Sequence, residues 1–283
     1  MKKQETFQSI KSILTLAVCG TMISCSSKND SGTTQVTSSF KMTGSASTAS
    51  VASSQKPTLW NVLIKTAHAL VPTSIVDAQG SAITLSSAWT VIKEIEFKSE
   101  ETAGGSEDSQ SEVSFKGPYF VNLLSSAPQA LDTQSITKKS IKRIKMKLEA
   151  TQAQLPTDAP AGLASNSIYM AGSVGGRNFT FQLDDGTEYQ IGGSSAFQPS
   201  ENSQIMVEIQ IANIFKQIDL SSVTNNEVID HNNRHTGSNL CTSIDTSAND
   251  LYTCIRKGLE KHANLGLDKN GDSSLDADED KVK

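Results

Sequence analysis

Aromatic residues are scarce in this chain: Phe, Trp and Tyr make up 5% of its 283 residues. Composition therefore gives no reason to expect rows of exposed Trp or Tyr on which a sugar ring or a base could stack. Charge of one sign is also limited, with a formal net charge of −5. That excludes the broad basic surface on which general nucleic-acid binding rests. Beyond the first two dozen residues, no apolar run approaches the roughly 20 residues that cross a bilayer as a helix. Two catalytic signatures are missing, since the sequence holds neither a Gly-x-Ser-x-Gly elbow nor a His-Glu-x-x-His pair.

What is present lies mainly at the two ends. Residues 268–279 (DKNGDSSLDADE) put oxygen donors at nearly every position that a calcium loop of the EF-hand type requires. Asp268, Asn270 and Asp272 fall at the first, third and fifth positions; Ser274 can offer its backbone carbonyl at the seventh, Asp276 can reach through a water at the ninth, and Glu279 can close the shell bidentately at the twelfth. Ca2+ is a hard cation that takes six to eight oxygens, so the spacing suits it. Leu275, at the eighth position, is placed to turn back toward the body of the protein. One departure is Ser273 at the sixth position, where a sharp turn calls for Gly; Gly271 stands at the wrong place to replace it.

Residues 249–262 read as the helix entering this loop, with Leu251, Ile255 and Leu259 repeating every four residues and Thr246 or Ser247 as its cap. No exiting helix is expected, because only Asp280, Lys281, Val282 and Lys283 follow Glu279. The tail resembles cohesin-binding dockerins, but these carry two loops, and a single one speaks against that role.

At the other end, Lys2, Lys3 and Lys11 precede a short apolar stretch at 13–23, the pattern of a secretory signal. Met22-Ile23-Ser24-Cys25 resembles the lipobox of bacterial lipoproteins, which implies cleavage before Cys25 and acylation of its thiol by chains such as palmitate. Leu16-Ala17-Val18-Cys19 fits less well, having a branched Val where a small residue is wanted. Several acyl chains would hold the protein to a membrane, since one alone binds reversibly. Ser26 stands where an Asp would, by resemblance to enterobacterial lipoproteins, signal inner-membrane retention. The expected address is the outer membrane. Cleavage would carry off three lysines and one glutamate and move the formal charge from −5 to −7.

With Cys19 removed and Cys25 acylated, Cys241 and Cys254 are the remaining thiols in an oxidising compartment, and they are expected to pair. The rival for Cys241 is a metal site with His231 and His235, but the segment around these histidines is rich in turn residues and reads as a solvated loop.

Between the ends the pattern is that of β structure. Val36, Ser38, Phe40 and Met42 alternate with polar neighbours, so a first strand lies in the Ser/Thr-rich stretch. Residues 58–70 carry helical spacing. Val91, Ile95 and Phe97 fall at even spacing, after a turn at Asp77-Ala78-Gln79-Gly80. Gly117-Pro118 confines its strand to an edge or a bend. Ile144, Met146 and Leu148 alternate with Lys145, Lys147 and Glu149, which places the basic run 138–147 on the outer face of a strand. Asp184-Asp185-Gly186 reads as a hairpin turn. Residues 99–112 form an acidic loop.

The segments 88–97, 117–124 and 141–148, extended by 179–183 and 205–220, resemble a group of bacterial lipoprotein domains of unknown function over about half of the chain. Their fold is similar to carbohydrate-binding sandwiches. The resemblance implies fold and surface location, and it implies no activity.

The sequence thus predicts a mainly β protein: an antiparallel β-sandwich or open barrel with a short N-terminal helix and a small C-terminal helix plus calcium loop. The expected organisation is a signal peptide over 1–24, a tether over 25–57, a sandwich over 58–222 and a helical appendage over 223–283. The expected role is that of a lipid-anchored envelope module without enzymatic activity. Its partners would be the membrane through the anchor, and a glycan or an envelope protein, with no nucleic acid. The alternative is a glycan-binding adhesin or a hydrolase of an envelope polymer, whose paired carboxylates need only meet in space.

Overall fold

Alternation of buried and exposed side chains runs through most of the strands. The computed structural model describes residues 34–45, 75–99, 114–125, 127–184, 186–272, 275 and 282, within a unit running from Thr33 to Lys283. Cys25, the helical pattern at 58–70, the acidic stretch 100–113, and Ser273, Ser274, Asp276 and Glu279 lie outside the described residues.

One sheet has the order β12 (Ala263–Leu267), β10 (Ser203–Gln210), β1 (Gln35–Ser45) and β5 (Gln129–Thr137). The other runs β11 (Glu227–Ile229), β8 (Arg177–Leu183), β7 (Ile168–Val174), β3 (Ala82–Ser99), β6 (Ile141–Leu148) and β9 (Thr187–Phe197), with β2 (Ile75–Val76) and β4 (Ser114–Asn122) also paired to β3. This larger sheet curls as a half-barrel beside the smaller one, which makes the chain a mainly β, sandwich-like fold. Pairing is antiparallel except between β1 and β10 and between β8 and β11. Two short helices follow the main strands, α1 (Ile211–Phe215) and α2 (Leu251–Lys261).

β1 buries Val36, Ser38, Phe40 and Met42, the residues whose alternation marked it. It lies between β10 and β5, although its sequence belongs to the expected tether. Its close neighbour is the end of β4: a Cβ on Gly44 would stand 2.1 Å from the Leu123 carbonyl oxygen. Phe40, Phe97 and Phe115, from β1, β3 and β4, meet with ring centroids 5.2 to 5.8 Å apart. They join the two sheets in a single core that also takes in Leu251, Ile255 and Leu259 of α2, Leu265 of β12 and Val282.

β3 departs from the expected even spacing. Ile95 and Phe97 enter this core together with Ile92, whereas Val91 packs with Trp89 in a separate cluster. The cause is a bulge between Ile92 and Glu94, seen in the pairing with both β4 and β6; one extra residue reverses which side chains face inward. Gly117 sits opposite, where a Cβ would be 2.2 Å from the Ile92 carbonyl oxygen. β4 pairs with β3 alone among the described strands, the edge placement that Gly117-Pro118 implied. Across that edge Tyr119 donates to Asp132 of β5 (3.3 Å). Burial, with the Asp132 carboxylate beside it, pushes the Tyr119 hydroxyl up to about 12, so it remains a donor at physiological pH.

The cluster of Trp89, Val91 and Leu163 is completed by Phe120, Leu155, Ala159 and Tyr169. A 3-10 turn, Ala161–Ser165, lays Leu163 over it. A Cβ on Gly162 would stand 2.2 Å from the Tyr169 ring. Gly162→Ala is expected to destabilise by about 1–3 kcal/mol through overpacking, measured by urea unfolding; an unchanged midpoint would mean that the Tyr169 ring swings aside freely.

β6 buries Ile144, Met146 and Leu148 as expected. Its basic outer face is engaged across the sheet, with Lys147 bridging Glu94 (3.1 Å) and Glu96 (2.8 Å) and Lys145 bridging Glu188 (3.2 Å). The Lys147 hydrogen bond holds the Glu96 carboxyl below its ordinary range despite partial burial.

One turn assignment is corrected. Residues 184–186 do not close a hairpin, because β8 lies between β7 and β11 while β9 pairs with β6. The hairpin is one unit earlier, where Gly175 (φ 54°) and Gly176 (φ 79°) link β7 to β8. Two successive positive φ values give a turn whose twist matches the flanking strands.

Candidate functional site

β12 carries the chain to the C-terminal loop. It pairs antiparallel with β10 from Ile205↔Leu267 to Ile209↔Ala263, and Asp268 N–H extends the ladder by donating to the Gln204 carbonyl (3.0 Å). Asp268 is 5% exposed, so its carboxylate is fixed at the strand end. Its Oδ1 accepts from Gly271 N–H (2.7 Å), and Asn270 Oδ1 accepts from Asp272 N–H (2.8 Å) while Asn270 Nδ2 donates to Asp272 Oδ2 (3.1 Å). Gly271, at φ 73°, makes the reversal. A tight turn thus ties Asp268 to Gly271 and Asn270 to Asp272. A carboxylate has about four lone-pair sites, so a hydrogen bond inside the turn is compatible with holding a cation.

Beside this turn is a cleft of about 400 Å³, walled on its far side by Gln198, Ser200, Glu201 and Asn202 from the β9–β10 connection. Its polar lining is amide, hydroxyl and carboxylate, together with Lys269. Nothing in the sequence marks this wall, because 198–204 carries no motif and faces the loop only through the β10–β12 pairing. Among the described residues, no three Asp, Glu, His or Cys side chains converge as a metal centre. The second half of the expected ligand set, Ser274, Asp276 and Glu279, lies outside those residues.

The approach to the loop differs from an EF-hand. The helix α2 ends at Lys261, and His262 with the five residues of β12 separates it from Asp268. Ala263, Leu265, Gly266 and Leu267 are all buried, so this segment is held as the edge strand of the smaller sheet and is not free to prolong the helix. The N-cap is Asp250, whose carboxylate accepts from Thr253 N–H (2.7 Å), in place of Thr246 or Ser247. Within the loop, Leu275 is 4% exposed, turned inward as its eighth position implied. Val282 N–H donates to the Leu265 carbonyl (2.9 Å), and the Val282 carbonyl accepts from Ser195 N–H of β9 (3.4 Å). The chain is therefore fastened to β10 before the loop and to β12 after it, and Val282 links the edge strands β12 and β9.

Cys241 and Cys254 form the expected disulfide, tying the segment before α2 to its second turn. That removes Cys241 from any site with His231 and His235. His235 instead bonds through Nδ1 to Glu227 Oε1 (2.6 Å) and through Nε2 to Ser222 Oγ (2.9 Å). His231 lies edge-on to Tyr252, with ring centroids 6.3 Å apart. Comparison with protein-family models, with curated proteins and with solved structures finds no match for this chain.

Proposed function

We propose that this chain is a cell-envelope module, anchored through an acylated Cys25 at the outer membrane, in which calcium orders the C-terminal loop 268–279 as a clasp over the sandwich. The observation that supports this reading is the fastening of the chain on both sides of the loop to the smaller sheet: Asp268 N–H to Gln204 of β10 and Val282 N–H to Leu265 of β12. A loop with fixed ends gathers its ligands at a lower entropic cost than a free tail. Asp268, Asn270 and Asp272 supply the first oxygens, and Ser274, Asp276 and Glu279 follow in the register that the ion requires. The role is binding or structural. The polar cleft beside Asp268 suits a glycan better than an apolar peptide, with an envelope protein as the other partner class.

Titration calorimetry of the chain with residues 35–45 retained, since β1 is an inner strand, is expected to give a calcium heat with Kd on the order of 10⁻⁴ to 10⁻³ M. Asp268→Ala and Glu279→Ala should each remove it. A wild-type protein without calcium heat, or a heat that survives both substitutions, would end this reading.

A further inference from the structure

The geometry points to a second, calcium-independent site: Ser222, His235 and Glu227 form a hydrogen-bonded relay poised for acyl transfer, with Ser222 as the nucleophile toward carboxylic esters. The three side chains come from different places. Ser222 lies in the turn after α1, closed by Val223 N–H to the Leu220 carbonyl (3.1 Å), and Glu227 opens β11. His235 follows β11 with a left-handed backbone (φ 49°). Its carbonyl accepts from Leu251 N–H (3.1 Å), the next residue bridges to Asp250, and Arg234 donates to Asp250 and Thr253. The imidazole is thus held from the α2 side before it reaches the serine.

The order of burial is that of a working relay. The side chains of Glu227 and His235 are 10% and 13% exposed, while Ser222 stands in the open. Glu227 Oε2 accepts from Thr224 N–H (2.7 Å) and Oγ1 (2.9 Å), leaving Oε1 for His235 Nδ1 at 2.6 Å. Against the effect of burial, these hydrogen bonds hold the Glu227 carboxyl below its ordinary range. A charged carboxylate only accepts, so Nδ1 carries the proton, and Nε2 is left to accept from Ser222 Oγ at 2.9 Å. This is the tautomer in which a histidine can take a hydroxyl proton.

The step balances without any cofactor. Ser222 Oγ attacks the ester carbonyl carbon and its proton passes to Nε2; the C–O bond to the alcohol breaks, and the alcohol leaves with that proton. Water then cleaves the acyl-serine by the same relay, so ester plus water give acid plus alcohol. Among the N–H groups of the turn, those of Ser221, Val223 and Thr224 already bond to Asp219, Leu220 and Glu227. That singles out Ser222's own N–H as the donor for the oxyanion. Among the described residues Ser222 is left exposed, so the substrate class is an activated or surface-borne ester, and slow deacylation is expected.

The test is covalent labelling of the full chain by an alkyl fluorophosphonate, which releases fluoride on attack, with the adduct located by mass spectrometry. One label on Ser222 is expected, abolished by Ser222→Ala and slowed about 10²- to 10⁴-fold by His235→Gln. Glu227 is a positioning residue. Glu227→Gln should slow labelling, and Glu227→Asp, which keeps the carboxylate, should restore part of the rate. A chain that is unlabelled, labelled elsewhere, or labelled equally fast in His235→Gln overturns the assignment. Ser222 is an exposed turn residue, so Ser222→Ala is expected to fold and serves as the reference.

Discussion

Phe115→Ala is expected to destabilise the protein by about 3–5 kcal/mol, which at this chain length lowers the melting temperature by roughly 10 °C. Phe115 is fully buried. Its ring stands edge-on to Phe97 at 5.2 Å and tilted to Phe40 at 5.8 Å, so it contacts both neighbours while belonging to the edge strand β4. Removing it forfeits the transfer energy of a phenyl ring and the favourable geometry of two aromatic pairs. A cavity remains between two sheets whose backbones are fixed by their ladders. Thermal unfolding followed by far-ultraviolet circular dichroism measures the loss. A shift of only one or two degrees would mean that Phe40 and Phe97 collapse into the space, and that the sheets do not depend on this cluster.

Replacing both Cys241 and Cys254 by alanine is expected to lower stability by about 3 kcal/mol in the chain-entropy model. The cross-link closes a separation of 13 residues, and both side chains are buried at 2% and 0% exposure. Alanine separates the loss of the bond from the additional penalty that a buried serine hydroxyl would bring. The effect should concentrate on α2, whose Leu251, Ile255 and Leu259 pack onto the strands. Guanidinium unfolding with and without dithiothreitol is the measurement. The wild type should lose stability on reduction and the double variant should be indifferent to it. Coinciding curves for oxidised and reduced wild type would remove the disulfide from any account of stability.

Where a local pattern had one outcome, the sequence was a sufficient guide. The alternation in β1 and β6, the four-residue repeat of α2, the Asp77 turn and the pairing of two remaining thiols each follow from neighbours in the chain or from simple elimination. The bulge in β3 was hidden because Val91, Ile95 and Phe97 look like one face until Lys93 is seen as the extra residue. Asp184-Asp185-Gly186 carries better turn chemistry than Gly175-Gly176 by composition, yet strand pairing chose the latter for the hairpin. The strand β12 was missed because it is only five residues long and lies between the helix expected to end at His262 and the loop. Ser222, Glu227 and His235 have no spacing that marks them, since they meet only through the turn after α1 and the reversal after β11. Only three of the six expected calcium ligands fall among the described residues, so the loop was more legible as sequence than as geometry.

The placement of β1 also decides how the molecule bears a mechanical load. A pull on the chain ahead of Gln35, directed along the strand, meets hydrogen bonds to β10 on one side and to β5 on the other. These bonds lie across the direction of pull, so they share the force in shear and must yield together. A strand at the edge, peeled from its end, would release them one at a time. Any tether leading into residue 35 is therefore joined to a strand suited to carry tension into the body of the fold.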